Sequence, residues 1–443
     1  VIFSKLGPFA KYAANTSWLM SDQILAVLFN LGVTAIVARY LGPNDFGLLN
    51  YTFATAAIFG VIGKLGLEGI VVRDLTLHPN DQHTILGTTF ALKLITYCAA
   101  TLGLWVFAIY STPDVRERNL LQVAAFTLLL TPITVTNYWF HAQVKARYLA
   151  TANITSNAAS GLAKIAAAFS ALPIMAFALA NLLQAVIASF LGFILYVRNG
   201  GPSVLRWNFS SSVARRLLSE GWAIFLAGML GAIYLKVDVV MLKWLSSTEA
   251  VGIYSVATRF SEATYFIPGA IVASVFPSLI ALRKTDAQNF NSKLQVIFDL
   301  MVGTAAAVIA ATLIGAYVAI PLLFGDSYAD AWQILLIHVL ATPFIFLRTV
   351  FTRWIIIERA PTFLLVTDGV GAGLNIALNF LLIPSFGGFG AALATLCSYA
   401  VAAYVSLSFS RRTRPIFYMM SRSLFLPWRA YGSAMQLLSQ RSR

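Results

Sequence analysis

The sequence predicts an all-α membrane protein of twelve transmembrane helices, arranged as two six-helix lobes that repeat in the same sense. Three observations predict this. The first is composition: of 443 residues 59% are hydrophobic and only 11% charged, with a mean hydropathy of +0.77, whereas soluble domains carry about 25% charged residues. The second is a succession of apolar runs, each near the ~20 residues that a helix needs to cross hydrocarbon. The third is a pattern of residues in the first half that recurs in the second.

In chain order the spans are expected at 15–38, 47–68, 84–110, 119–141, 149–171 and 174–197, then at 217–245, 250–281, 292–322, 328–357, 361–383 and 387–410. An even number puts both termini on one side. The loops on that side hold twenty Lys and Arg, from Lys5 to the seven arginines between Arg411 and Arg443; the opposite loops hold only Arg39, Arg116, Arg118 and Lys243. Basic loops face the cytoplasm, so both termini are expected there. The net charge of +14 is thereby accounted for without nucleic acid. The organisation read from this is an N-terminal lobe (1–197), a basic cytoplasmic linker (198–216) containing Gly200-Gly201-Pro202, a C-terminal lobe (217–410) and a basic amphipathic tail (411–443). The tail mixes Arg with Phe, Leu, Met and Trp, a composition suited to the anionic inner leaflet. Cys98 and Cys397 lie in apolar runs and predict no disulfide, and His78, His83, His141 and His338 have no metal-ligand spacing. No cleavable signal peptide is expected before the first span.

Polar residues inside the spans mark where function is expected, because intramembrane charge is costly unless it is paired or faces water. The first span contains Asp22. The connection after it, RYLGPNDFGLLNYTFATAAIFG (Arg39–Gly60), uses Pro43 to restrict the turn and offers Asn44 or Asp45 as a cap. Lys64 and Glu68 end the second span, at the spacing of a local ion pair or as part of a site. Lys93 lies deep in the third. Asn153, Asn157, Ser160 and Lys164 recur at helical spacing in the fifth; we read this stripe as cavity-lining, with inter-helix hydrogen bonding as its alternative.

The repeat appears at two places. Leu41–Ala54 matches Leu245–Phe260, with Gly47 over Gly252. Asn157, Ser160, Lys164 and Pro173 match Asp368, Gly371, Asn375 and Pro384 at a constant offset of 211. Repeats of parallel sense are a transporter signature, with substrate held near the bilayer midplane between halves. GVGAG at Gly369–Gly373 lies within an apolar span with no preceding strand, so it reads as helix packing and not as a nucleotide loop.

The chain is organised around Glu220–Pro268, two apolar runs that carry Glu220, Lys236, Asp238, Arg259 and Glu262. Seven cations are embedded in all: Lys64, Lys93, Lys164, Lys236, Arg259, Arg348 and Arg353. A cavity lined by these groups suits an anionic substrate, since guanidinium and ammonium groups match phosphate oxygens. The carboxylates Asp22, Glu220, Asp238, Glu262, Asp299 and Asp368 are candidates for a coupling ion, and Asn157, Asn375 and Asn379 form polar stripes. The energy source expected is a proton or sodium gradient, with no cofactor and no metal. Charge reversal at Arg259 is expected to abolish transport without preventing insertion.

ARYLGPNDFGLLNYTFA (Ala38–Ala54) and LNIALNFLLIPSFGGFGAALATLCSYA (Leu374–Ala400) resemble the polysaccharide transporter branch of the multidrug/oligosaccharidyl-lipid/polysaccharide exporter superfamily, which includes O-antigen and exopolysaccharide repeat-unit flippases. The resemblance runs through all twelve spans, although the two motifs are packing and turn features that bind nothing themselves. It implies two six-helix lobes in a V-shaped, alternating-access transporter, acting as a monomer in the bacterial inner membrane. The implied substrate is an undecaprenyl-pyrophosphate-linked oligosaccharide carried from the cytoplasmic to the periplasmic leaflet. Membrane lipids, and glycan-polymerising machinery as a further candidate, are the implied partners. A multidrug exporter of the same fold is the nearest alternative, but it would favour an acidic cavity. A lipid II flippase would carry two more helices. A membrane glycan polymerase or ligase, an enzyme, would need a larger outer loop than these connections provide.

Overall fold

A computed structural model describes residues 8–425 other than 359 and 361. Among these residues the chain forms helices and turns with no strand, as expected where backbone polar groups must be satisfied within each segment. The α-helices are α1 (Pro8–Lys64), α2 (Glu68–Leu77), α3 (Gln82–Ser111), α4 (Val115–Leu130), α5 (Val135–Ala142), α6 (Ala146–Phe169) and α7 (Ile174–Arg198). They continue as α8 (Ser211–Leu245), α9 (Thr248–Glu262), α10 (Phe266–Thr285), α11 (Ala287–Phe324), α12 (Ala331–Val339), α13 (Thr342–Ile357), α14 (Thr362–Ala403) and α15 (Arg414–Leu424).

The expected span boundaries coincide with breaks whose cause is local. α1 is two helices joined at Gly42, whose φ of 71° only glycine adopts freely, with Pro43 opening the second part. α14 breaks in the same way at Gly387 (φ 52°), just beyond Pro384. Seven helical segments among the described residues are long and apolar enough to cross a membrane, or eight when the bent pair α12–α13 (41°) is taken as one. The other expected stretches are helical as well, but α6 carries its polar stripe and α9 its charges. The chain is a multi-pass membrane protein. Asp45, expected as a helix cap, instead reaches across to pair with Arg116 at the start of α4.

The structure divides into two compact units, 1–255 and 256–443. The division falls after α8 and not in the linker, because α8 and the start of α9 pack directly on α1. In the first unit α1 packs on α6 and α8, α6 on α7, and α3 on α4. The short helix α2, in a segment expected only as a connection, buries Leu67, Ile70, Val71 and Leu75 with Trp139, Phe140, Tyr196 and Leu217. In the second unit, Phe298 and Met301 of α11 pack with Phe346, Val350 and Phe351 of α13.

The tail does more than rest on a surface. α15 inserts Ile416 and Met420 into the core of the second unit and leaves Tyr418 and Phe425 exposed. Tyr404 stacks on Phe417 at 4.7 Å. Residues 426–443, the rest of the expected tail, lie outside the described residues.

One contact gives the repeat physical form. A Cβ on Gly47 would overlap the Thr248 carbonyl oxygen, and a Cβ on Gly252 would overlap the Pro43 carbonyl oxygen. Residues 43 and 47 thus meet 248 and 252, their own equivalents one repeat later. Each half supplies the same small surface to the other, and two helix backbones approach as closely as glycine permits.

Candidate functional site

A cavity of about 500 Å³ opens within the first unit, between α1, α2, α3, α5 and the turn before α5 on one side and Ile224, Phe225, Gly228 and Ala232 of α8 on the other. Its polar wall carries Lys64, Glu68, Lys93, Asn137, Tyr138 and His141. α3 projects Lys93 into it. The 3-10 turn Thr131–Thr134 interrupts the helical rod between α4 and α5 and brings Thr134, Asn137, Tyr138 and His141 to one face, at spacings of three and four.

Lys93 is only 2% exposed. Its Nζ donates to Thr134 Oγ1 and Tyr138 OH, each at 3.3 Å, and lies 4.9 Å from the centre of the Tyr138 ring. Among the described residues no carboxylate comes within ion-pair distance of it. Hydroxyls and a ring face orient an ammonium group but do not neutralise it, and an unpaired buried charge is expensive. The ammonium group thus stands at the cavity without a neutralising partner at ion-pair distance among the described residues. Around it, Lys64 is exposed and Glu68 Oε1 lies 4.0 Å from His141 Nε2. The local Lys64–Glu68 pair does not form: Leu65 and Gly66 take positive φ (52° and 65°) between α1 and α2, so the two residues do not share a helix. His141, set aside in the sequence as a scattered histidine, belongs to this site. Its spacing from Asn137 and Tyr138 was the available signal.

Beside the cavity α8 packs closely on the turn between α1 and α2. A Cβ on Gly66 would sit 2.6 Å from the Phe225 nitrogen, and one on Gly221 2.8 Å from the Leu65 carbonyl oxygen. Beyond them Arg73 pairs with Glu220 at 2.7 Å and Arg216 with Asp74 at 2.7 Å; Asp74 is also held by Arg73 at 2.8 Å. Farther along, where the start of α9 meets α1, stands the Gly47–Gly252 crossing. There Lys243 pairs with Glu117 and lies 4.6 Å over the Tyr51 ring.

The remaining residues singled out in the sequence take several roles. Lys164 donates to Asn181 Oδ1 at 3.0 Å, and Asn157 Oδ1 accepts from Gln184 Nε2 at 2.7 Å. The α6 stripe therefore bonds to α7, as the inter-helix alternative expects. Lys236 is half-buried in α8, and Asp238 is buried and accepts from Tyr254 OH at 2.9 Å. Glu220 lies in the Arg73 network just described. Asp22 falls in α1, but its side chain is outside the described residues.

In the second unit Arg348 is paired with Asp368, an expected substrate cation with an expected coupling acid. Arg353 lies 5.3 Å over the Phe276 ring, while Arg259 is exposed and Glu262 half-buried on α9. Asp299 accepts from Gln295 Nε2 at 2.9 Å and from Ser423 Oγ at 2.6 Å, so it clasps α15. Asn375 and Asn379 are fully buried and bonded to each other at 3.1 Å. One prediction concerns this unit. Removing either Arg348 or Asp368 leaves the other charge buried, which costs about 3–5 kcal/mol. Arg348→Ala and Asp368→Ala should each lower the thermal midpoint sharply in detergent, and the charge-swapped double variant should recover most of the loss.

The family model described as "Polysaccharide biosynthesis protein" matches residues 12–282, from α1 into α10. The chain belongs to this family. A probable flippase, AglR, of Haloferax volcanii is 25% identical over 90% of this chain and 83% of its own length. A putative O-antigen transporter of Shigella flexneri is 23% identical over 71% of this chain and 77% of its own. Among solved structures, an inward-facing multidrug resistance MATE family transporter of the MOP superfamily superposes with a TM-score of 0.72 at 13% identity, covering 88% of this chain and 95% of that one. The lipid II flippase MurJ in an inward closed conformation gives 0.69 at 14% identity, covering 94% and 92%. The family's fold is thus that of the MATE and MurJ transporters, and its relatives are named for transport and not for catalysis.

Proposed function

We propose that this family member is a flippase for a lipid-linked glycan, and that the cavity around Lys93 holds the anionic phosphate portion of the lipid carrier. The observation that carries the reading is a buried ammonium group facing a cavity, with hydroxyl partners and, among the described residues, no carboxylate at ion-pair distance. An ammonium group placed in this way is a point of attraction for phosphate oxygens. The names of the relatives, a flippase and an O-antigen transporter, support the same substrate class. In the finer form of the proposal the carrier is undecaprenyl pyrophosphate, and twelve helices cross the bacterial inner membrane with both termini in the cytoplasm. A proton or sodium gradient drives the exchange, and the chain works as a monomer alongside membrane lipids and glycan-polymerising machinery. Among the described carboxylates Glu68 is the one that lines this cavity, close to His141, and it is the coupling group we favour.

The likeness to a multidrug transporter favours a second reading, export of organic cations. A cavity centred on an unpaired lysine repels such substrates. Reconstitution separates the two. Purified protein in proteoliposomes should translocate a lipid-pyrophosphate oligosaccharide in a saturable manner, and an internal pH probe reads any accompanying proton movement. Efflux of organic cations with no movement of any lipid-linked glycan would transfer the chain to the second reading.

A further inference from the structure

A second cavity, of about 530 Å³, lies apart from the first between α3, α7 and the linker. Its wall is almost wholly apolar: Phe90, Ala91, Phe190, Phe193, Trp207 and Phe209 form most of it. No charged residue lines it, and its size falls within the range of roughly 300–1,000 Å³ typical of ligand pockets.

The linker makes this pocket by folding over it. Tyr196 OH donates to the Pro202 carbonyl at 2.6 Å. Thr84 Oγ1 donates to Asn208 Oδ1 at 2.8 Å, and the Ser210 N–H donates to Thr88 Oγ1 at 3.0 Å. Gly87 allows the approach, since a Cβ there would sit 2.6 Å from the Asn208 carbonyl oxygen. Trp207 is held against Phe90, ring centres 5.7 Å apart. The linker is therefore a fixed cover and not a loose connection.

Its outer surface has a second character. Between 198 and 216 there are four arginines, Arg198, Arg206, Arg215 and Arg216, and no acid. Arg216 is engaged with Asp74, while Arg198, Arg206 and Arg215 are exposed. Leu205 is 94% exposed and Phe209 58%, apolar side chains presented at the same basic surface. An apolar pocket beneath a cationic, partly apolar rim complements one class of molecule, an anionic amphiphile. Basic segments of this kind gather anionic lipid from the leaflet they face.

We propose that this pocket is a binding site for an anionic phospholipid of that leaflet, with one acyl chain against Phe90, Phe193 and Trp207 and its phosphate on the linker arginines. A bounded pocket fits the end of one acyl chain, whereas a long polyprenyl tail overfills it. The site is separate from the Lys93 cavity and does not depend on what that cavity carries. Bound lipid would pin the linker to α3 and α7, which makes leaflet composition an input to the transporter.

The test uses full-length protein in phosphatidylcholine vesicles containing a low fraction of brominated-chain phosphatidylglycerol or brominated-chain phosphatidylcholine. Bromine quenches tryptophan fluorescence on contact, and the Trp207 signal is the difference between wild type and Trp207→Phe. Brominated phosphatidylglycerol should quench that component strongly and brominated phosphatidylcholine weakly. The double variant Arg198→Glu/Arg206→Glu should reduce the preference by about tenfold or more, and Ala91→Leu should relieve the quenching by filling the pocket. Equal quenching by both lipids would reduce the site to ordinary boundary lipid and overturn the proposal. So would displacement of quenching by polyprenyl pyrophosphate but not by unbrominated phosphatidylglycerol. Native mass spectrometry of wild type against the Arg198/Arg206 double variant gives a readout that needs no tryptophan substitution: one retained phosphatidylglycerol is expected on the wild type and none on the variant. Retention on both would also overturn the site.

Discussion

Lys93→Met should lower translocation of a lipid-pyrophosphate glycan by roughly 30-fold or more, since removing one charge from a buried charged contact costs about 2–5 kcal/mol. The same substitution should leave the protein at least as stable as before. In the absence of substrate Lys93 is buried with only Thr134 and Tyr138 as hydrogen-bond partners among the described residues, and replacing such a cation by an apolar side chain of similar length relieves a desolvation cost. The opposed signs make the result diagnostic. A lysine that only braced α3 against α5 would lose stability and transport together. Lys93→Arg keeps the charge but must fit a larger planar head beside Tyr138, so it should retain part of the activity. The measurement is initial translocation rate in proteoliposomes, read beside the thermal midpoint of the same preparation.

Gly252→Val should produce the second large effect. The Gly252 position faces the Pro43 backbone and Gly47 faces the Thr248 backbone, so any added side chain meets main chain that cannot rotate away. Overpacking costs about 1–3 kcal/mol where side chains can adjust, and backbone against backbone leaves less room to adjust. The crossing holds the start of α9 on α1 in the unit that contains the Lys93 cavity, so transport should fall at least tenfold. Gly47→Val should behave alike. Because both glycines serve one contact, the double variant should be little worse than either single one, a non-additivity expected of residues that share an interaction. Additive losses measured in the same assay would mean that the two positions act separately.

Much of the fold was legible because its signals are local. Gly42-Pro43 and Pro384 to Gly387 mark breaks that any helix would respect, and the apolar runs are long. Repeat matching at Gly47 and Gly252 anticipated a feature of the structure more concrete than the resemblance itself, since the matched residues touch. What could not be read was the identity of each polar partner. Lys164, Asp299 and Arg348 each looked like a lone intramembrane charge, yet Lys164 donates to Asn181, Asp299 accepts from Ser423 and Arg348 pairs with Asp368. The distance in sequence from Asp299 to Ser423 hides that bond completely. Lys93 stood out only by its depth in the third span, and the geometry shows that its partners are hydroxyls. Glu68 was read as either a local pair with Lys64 or part of a site, and the positive φ values at Leu65 and Gly66, which periodicity cannot reveal, separate it from Lys64; His141 was missed although its spacing from Asn137 and Tyr138 was there to read.

The most direct measurement is equilibrium binding of a lipid-pyrophosphate oligosaccharide to purified wild-type and Lys93→Met protein, beside the same lipid glycan lacking phosphate. The account predicts saturable binding that weakens about 30-fold or more without the lysine, with Lys93→Arg intermediate and the phosphate-free lipid insensitive to the substitution. Equal affinity of wild type and Lys93→Met for the pyrophosphate lipid would contradict it.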